Sequence, residues 1–200
     1  MTAPLEFYFD FSSPYGYFAA QRVDALAAKH GRIVDWRPML LGVAFKQTGA
    51  APLTSIPIKG DYSRHDFERT ARFEGIEFRM PSRFPIPAQA PSRIVIWQKL
   101  VRPEGVVPIA KALYRAYFVE DRDISDPDVA AEVAVRTGVD RAAARAAIDD
   151  PAIKDAFRRD VEAAIARGVF GSPFVFVDGE GFWGFDRFAQ IDRWLATGGF

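Results

Sequence analysis

The sequence predicts an α/β fold in which the two ends of the chain build one small sheet and the middle is helical. Strand-like segments rich in aromatic and β-branched residues lie near the termini, at 5–10 and 33–37 and again at 174–177 and 181–183. The long stretch between them shows helical periodicity. Because neither a two-stranded pair nor an isolated hairpin is stable alone, we expect the four strands to form one mixed sheet.

Composition is that of an ordinary globular protein, with 49% hydrophobic residues among 200. The 26 basic residues equal the 26 acidic ones, which disfavours nucleic-acid binding. With no cysteine and two histidines, disulfides, thiolate sites and cysteine nucleophiles are excluded, and no metal site is expected. No signal peptide or membrane span is evident, so we expect a cytoplasmic protein that does not bind membranes.

The first strand, at 5–10, runs directly into a helix at 14–30, and a hydroxyl stands at the junction. Ser13 is a good N-cap, and Pro14 occupies the first helical position, where its missing N–H costs nothing. The helix dipole and the free N–H groups favour an anion there. A hydroxyl can accept a capping hydrogen bond and still donate its proton outward, so Ser13 either caps the helix alone or also contacts a ligand.

The middle of the chain follows a second strand at 33–37, which should lie parallel to the first through a right-handed βαβ crossover. Residues 39–60, rich in Gly, Pro and Thr, are typical of an irregular loop, and the proline-rich segment 79–91 should be extended. Helices are expected at 61–74, 91–102 and 105–119, from about 125 onward, and at 140–149 and 151–167.

The C-terminal part begins with Gly171-Ser172-Pro173, just before the third strand. A cis bond before Pro173 would leave the Ser172 N–H and C=O free to pair with an extended peptide. An edge-strand proline without a ligand is the alternative. Asp178-Gly179 predicts a hairpin turn, and a last helix should run from Asp186 to about Leu195.

A βαβ unit followed by ββα is the thioredoxin arrangement. We therefore predict a thioredoxin-like fold with a large all-α insertion. In this prediction residues 1–40 and 168–200 form the thioredoxin-like domain, and residues 41–167 form the inserted helical domain.

Three motifs, in this order and spacing, resemble the 2-hydroxychromene-2-carboxylate isomerase family, and more broadly the kappa-class glutathione transferases and the DsbA-like thioredoxin superfamily. They are Phe7-Tyr8-Phe9-Asp10-Phe11-Ser12-Ser13-Pro14-Tyr15, Gly171-Ser172-Pro173 and Phe182-Trp183-Gly184-Phe185-Asp186-Arg187. The resemblance implies a glutathione-dependent enzyme that acts on a small aromatic substrate, and we also expect a homodimer.

The resemblance also implies roles for individual residues. Ser13 is the catalytic residue, which hydrogen-bonds the sulfur of bound glutathione, and Ser172 with Pro173 pairs with the backbone of its cysteine. Lys46, Lys59 and Tyr62 are the expected substrate contacts, although the motifs do not decide which lysine meets a carboxylate. The γ-glutamyl end is expected to be held by the segment Trp183, Gly184, Phe185 and Asp186, with Asp186 facing its ammonium.

The implied reaction is isomerisation through transient addition of the thiolate to a conjugated double bond. A hydrogen bond from Ser13 (roughly 1.5–3 kcal/mol) and the helix dipole (about 0.3–2 kcal/mol) suffice to lower the pKa of a thiol by about two units. A kappa-like transferase or peroxidase and a non-catalytic binding module are the alternatives. The chain departs from the family at Gly16, Ala50, Ala51 and near Pro87, where polar residues are usual, and this leaves the substrate open.

Overall fold

The computed structural model describes residues 3–200 and contains a four-stranded mixed sheet. The strands, in the spatial order β2-β1-β3-β4, are β1 (Leu5–Phe9), β2 (Val34–Pro38), β3 (Phe174–Val177) and β4 (Glu180–Trp183). β1 pairs parallel with β2 and antiparallel with β3, and β4 continues antiparallel from β3. The prediction that the two chain ends build one sheet is therefore confirmed.

Helices make up most of the remaining chain, which confirms the predicted thioredoxin-like fold class with an all-α insertion. Within residues 3–200 the α-helices are α1 (Pro14–Lys29), α2 (Leu41–Thr48), α3 (Lys59–Glu74), α4 (Gln89–Val101), α5 (Val106–Phe118), α6 (Pro127–Val135), α7 (Arg141–Asp149), α8 (Pro151–Ala166) and α9 (Phe188–Thr197). Short 3-10 turns occur at Leu53–Ser55, Pro103–Gly105 and Phe185–Arg187.

The prediction that residues 39–60 form an irregular loop was wrong in part. It contains the helix α2 and the 3-10 turn at Leu53–Ser55. Leu40, at the N-cap position of α2, makes no side-chain capping bond. The Asp10 carboxylate at the end of β1 accepts the Leu41 N–H instead, at 2.7 Å. Since this cap comes from a distant part of the chain, no local start signal precedes the helix.

The hydrophobic core runs without a break from the sheet into the helices. On β1, the Phe7 ring meets the edge of Trp36 from β2, with ring centroids 5.0 Å apart. The ring centroid of Phe11, just after β1, lies 4.8 Å from that of Tyr114 in α5. Residues of both predicted domains belong to one buried cluster, so the division of the chain into two domains stays a prediction.

Helix length and apolarity bear on membrane insertion. Of the helices between residues 3 and 200, none is long and apolar enough to cross a bilayer.

Candidate active site

A cleft of about 1910 Å³ opens beside the end of β1, where the first strand turns into α1. It exceeds the roughly 300–1,000 Å³ of most ligand pockets. Most of the site residues predicted from the sequence line it, namely Ser13, Lys46, Ser172, Pro173, Trp183, Gly184, Phe185 and Asp186. The fold thus brings together residues from both ends of the chain and from α2.

Ser13 caps α1 as predicted, since its side chain accepts the Gly16 N–H at 3.0 Å. Its proton is directed to another part of the chain. The Ser13 hydroxyl donates to the Ser172 carbonyl oxygen at 2.8 Å. Because a hydroxyl has one proton, a ligand that takes this hydrogen bond must displace the carbonyl.

The Ser172–Pro173 peptide bond is cis, which confirms the prediction. The Ser172 hydroxyl accepts the Asp10 N–H at 2.9 Å, and the Pro173 carbonyl accepts the Gly184 N–H at 3.0 Å. The expectation of two free backbone groups at Ser172 was half right. Its carbonyl is bound to Ser13, whereas its N–H has no hydrogen-bond partner in residues 3–200. A peptide ligand therefore finds a donor already available there.

Gly16 allows the start of α1 to approach the cis-proline loop closely. A Cβ atom at this position would lie 2.7 Å from the Ser172 hydroxyl oxygen and 2.9 Å from that of Tyr114. Tyr114 is fully buried, and both hydroxyls are held by hydrogen bonds to the backbone of Asp10. The absence of a side chain at Gly16 is thus a packing requirement of the site.

Asp10 is a buried carboxylate, 3% exposed, in the cleft wall. Its two oxygens accept the N–H groups of Ser12 and Leu41, each at 2.7 Å. Burial raises the pKa of Asp10 to about 6, although the two N–H groups oppose this increase by favouring the charged form. The sequence did not reveal this contact, because the Leu41 partner lies in the segment 39–60, which was predicted to be an irregular loop.

The proline-rich segment forms another wall of the cleft, which sequence reasoning did not place at the site. Ser12 accepts the Ile86 N–H at 3.0 Å, and Tyr117 donates to the Arg83 carbonyl at 2.9 Å. The Phe84–Pro85 bond is also cis. The closely spaced prolines of this segment were the available signal, but they did not reveal which element the segment contacts.

The segment after β4 combines a large exposed ring with a charged pair. Trp183 is 55% exposed and its indole lies against the backbone of Gly171, where a Cβ would be 2.1 Å from Nε1. Gly184 has φ +109°, and a Cβ there would lie 2.4 Å from an Asp186 oxygen. Asp186 forms an ion pair with Arg187 at 3.0 Å. A ligand ammonium would therefore meet a carboxylate that already has a partner.

The three predicted substrate contacts do not all lie in the cleft. Lys46 lines the cleft on α2, but Lys59 and Tyr62 lie outside its lining. Helix α3 buries the face that carries Gly60, Ser63 and Phe67, which turns Lys59 and Tyr62 away from the interior. The Tyr62 hydroxyl instead accepts a hydrogen bond from Arg69 at 2.8 Å. The structure thus places Lys59 and Tyr62 at the surface outside the cleft lining, and their contact with a substrate stays a prediction.

Charge pairing sets Lys46 apart from the other basic residues that line the cleft. Arg22, Lys29 and Arg187 are ion-paired with Glu74, Asp192 and Asp186 respectively. Lys46 has no acidic partner in the part of the chain that the structure describes. Over the same residues, no group of three or more His, Asp or Glu side chains is placed to hold a metal ion.

Comparison with known proteins agrees with this geometry. Residues 4–196 match the model of the DsbA-like thioredoxin domain family. The chain is 27% identical to 2-hydroxychromene-2-carboxylate isomerase from Pseudomonas putida, over 94% of this chain and 92% of the relative. It is 26% identical to glutathione S-transferase kappa 2 from Caenorhabditis elegans, over 96% and 91% of the two chains.

A solved structure of a 2-hydroxychromene-2-carboxylate isomerase superposes with a TM-score of 0.87 at 25% identity, covering 97% of this chain and 95% of that one. The resemblance predicted from the sequence motifs is therefore confirmed at the level of the family.

Replacement of Gly16 by Ala tests the close approach of α1 to the cis-proline loop. We expect Gly16→Ala to lower the free energy of unfolding by about 1–3 kcal/mol, the usual cost of overpacking a rigid site. The matched control is Gly42→Ala in α2, where a Cβ meets nothing within 4 Å. This control should be neutral or stabilising by about 0.5–1 kcal/mol. Equal urea midpoints for the two variants would contradict the packing argument.

The raised pKa of Asp10 predicts a pH-dependent stability. Because the folded-state pKa (about 6) lies above the ordinary value of 3.8, the contribution of Asp10 is fully present below pH 4 and is lost as pH rises through 6. The shift corresponds to roughly 3 kcal/mol. We expect the stability difference between wild type and Asp10→Asn to change by up to that amount between pH 4 and 7 in urea titrations. A difference independent of pH would refute the assignment.

Proposed function

This chain belongs to the DsbA-like thioredoxin family, and on that premise we propose that it is a glutathione-dependent isomerase of the 2-hydroxychromene-2-carboxylate type. The names of its relatives support an enzyme of the isomerase and glutathione transferase group. The observation that carries the proposal is the Ser13 hydroxyl at the start of α1, in hydrogen-bond contact with the cis Ser172–Pro173 loop.

The chemistry of the site requires a thiol from outside the protein. The chain has no cysteine, and the position three residues after Ser13 is Gly16, where a side chain does not fit. Dithiol proteins of this fold use a Cys-X-X-Cys motif, so disulfide exchange is excluded here. When bound, glutathione supplies a thiolate that adds reversibly to a conjugated double bond, which lets the substrate rotate before the thiolate leaves.

The Ser172 loop is suited to the backbone of the glutathione cysteine. Its unpartnered N–H can donate to the ligand carbonyl in the manner of strand addition. The Ser172 carbonyl oxygen has a second lone pair, with which it can accept the cysteine N–H. Once the ligand N–H satisfies this carbonyl, the Ser13 hydroxyl can turn to another acceptor without leaving the carbonyl unpaired.

The freed Ser13 proton stabilises a thiolate. A hydrogen bond to a charged acceptor is about twice as strong as one to a neutral carbonyl, so the sulfur competes successfully with Ser172. The N-terminus of α1 adds the favourable field of the helix dipole. Together these effects lower the thiol pKa without a histidine. Within residues 3–200 the Ser13 hydroxyl forms hydrogen bonds only with backbone groups, so it has no base that would make it a covalent nucleophile.

The ends of glutathione carry charges that the cleft can match. Asp186 and Arg187 place opposite charges side by side, which suits the ammonium and carboxylate of a γ-glutamyl group. Trp183 and Phe185 supply apolar surface next to this pair. Lys46 is the cation available for a further carboxylate, on glutathione or on the aromatic substrate. A homodimer in the cytoplasm remains part of the proposal.

A kappa-type transferase is the second candidate, favoured by the relative named glutathione S-transferase kappa 2. It would use the same thiolate but release a conjugate. The two reactions differ in the fate of glutathione. An isomerase leaves its concentration unchanged while the absorbance of the substrate changes, whereas a transferase consumes it in proportion to the product.

Removal of the Ser13 hydroxyl tests the thiolate assignment. We expect Ser13→Ala to raise the pKa of bound glutathione by one unit or more, which corresponds to about 1.4 kcal/mol or more, and to slow turnover at least about tenfold. Titration of thiolate absorbance in the ultraviolet measures the pKa, and Ser55→Ala, an exposed serine outside the cleft lining, serves as the control. An unchanged pKa and rate would remove Ser13 from the mechanism.

Neutralisation of Asp186 tests the site of the γ-glutamyl end. We expect Asp186→Asn to weaken glutathione binding about tenfold through loss of a charge-assisted contact, with little change in the pKa of the bound thiol. Calorimetry measures the affinity, and Asp178→Asn, at the hairpin turn, is the control. Normal affinity in Asp186→Asn would show that the segment is only structural.

A further inference from the structure

Helix α2 is short and only lightly packed. It spans eight residues, of which Ala44 is buried, whereas Leu41 and Val43 are partly buried against neighbouring apolar side chains. Its N-cap residue, Leu40, makes no side-chain capping bond. Helices shorter than about 12–15 residues are marginal without such support, so the position of α2 depends on a small number of interactions.

The Asp10 carboxylate supplies the support that α2 lacks. One oxygen accepts the Leu41 N–H at the start of α2, and the other accepts the Ser12 N–H. The backbone of the same residue donates to Ser172 and accepts from Tyr114, which fixes Asp10 itself. A nearly fully buried carboxylate is costly unless hydrogen-bonded, so both contacts are strongly favoured. Asp10 therefore links α2 to the turn that carries Ser13.

Lys46 is the charged residue of α2 that lines the cleft. It follows Leu41 by little more than one helical turn, so a shift of the helix start moves its ammonium. It has no acidic partner in residues 3–200 that would hold it independently of α2. The titratable groups that face Asp10 from the elements packed on it are the phenols of Tyr114 and Tyr117.

We propose that Asp10 is a positioning residue that acts through Lys46: by capping α2, its carboxylate sets the distance between the Lys46 ammonium and Ser13. This inference rests on the proposed function in one respect, since it takes the ligand of Lys46 to be a carboxylate of glutathione or of the substrate. It assigns Asp10 no proton transfer and no contact with the reacting atoms.

The test removes the Leu41 N–H while leaving Asp10 intact. Proline is compatible with the first helical position, and Leu40 before it already has the extended conformation that proline requires (φ −122°, ψ 108°). Leu41→Pro therefore deletes the hydrogen bond, and Leu41→Ala is the matched control that keeps the N–H but loses the side chain. Asp10→Asn, which keeps one acceptor oxygen, provides an independent second variant.

The first readout needs no ligand. Hydrogen exchange of the amides of α2 should be at least about tenfold faster in Leu41→Pro and Asp10→Asn than in Leu41→Ala, the size expected for loss of a bond to a charged acceptor. Exchange in β1 and α5 should change little. Equal exchange of α2 in all three variants would overturn the proposal.

The second readout tests the action through Lys46. Leu41→Pro should raise the dissociation constant of glutathione, or the KM of the substrate, about tenfold, and should change kcat by less than about twofold. In a Lys46→Ala background the same proline should have almost no further effect, because the two changes remove one interaction. If Leu41→Pro and Lys46→Ala raise the dissociation constant or the KM by independent, multiplying factors, the role of Lys46 is overturned.

Failure of the proposed function is distinguishable from these outcomes. If the wild-type protein shows no glutathione binding by calorimetry, the proposed function is overturned. The hydrogen-exchange comparison then still tests whether the Asp10 carboxylate stabilises α2, because it is made on the protein without ligand.

Discussion

The start of α1 lies so close to the cis Ser172–Pro173 peptide that no side-chain carbon fits at Gly16. The rest of the site depends on this contact. It places the Ser13 hydroxyl 2.8 Å from the Ser172 carbonyl, and it lets the Ser172 hydroxyl reach the backbone of Asp10. The Tyr114 hydroxyl of α5 donates to the Asp10 carbonyl beside this contact, so the end of β1, α1 and α5 meet there.

This contact is the basis of the proposal that the site binds a thiol that the protein does not contain. Ser13 has the helix terminus and the neighbouring peptide loop that favour a thiolate, but it is a hydroxyl and no second reactive group fits at Gly16. The single proton of Ser13 is directed to the Ser172 carbonyl, so both of these groups are hydrogen-bonded. A peptide ligand would exchange this bond and would also supply an acceptor for the Ser172 N–H, which costs less than leaving buried polar groups unpaired.

The walls of the cleft are attached to the same short turn. The Asp10 carboxylate holds α2, and the Ser12 hydroxyl holds the proline-rich segment through Ile86. These walls carry Ala50, Ala51 and Pro87, where polar residues are usual in the family that the motifs resemble. The relatives include both isomerases and glutathione transferases. A fixed turn with variable walls is consistent with one thiolate site that serves different acceptors.

The sequence by itself determined the fold class and the cap at Ser13, because strand pattern and N-cap signals are local. The residues of the cis-proline loop and of the segment after β4 were expected from the resemblance of their motifs to a known family. Tertiary structure alone decided three features. Helix α2 was missed because its cap, Asp10, lies thirty-one residues away. Lys59 and Tyr62 lie outside the cleft lining because the buried face of α3, which is set by packing against its neighbours, carries other residues. The Ser13 proton points to Ser172 because two chain segments 159 residues apart meet, and no periodicity within either segment encodes that contact.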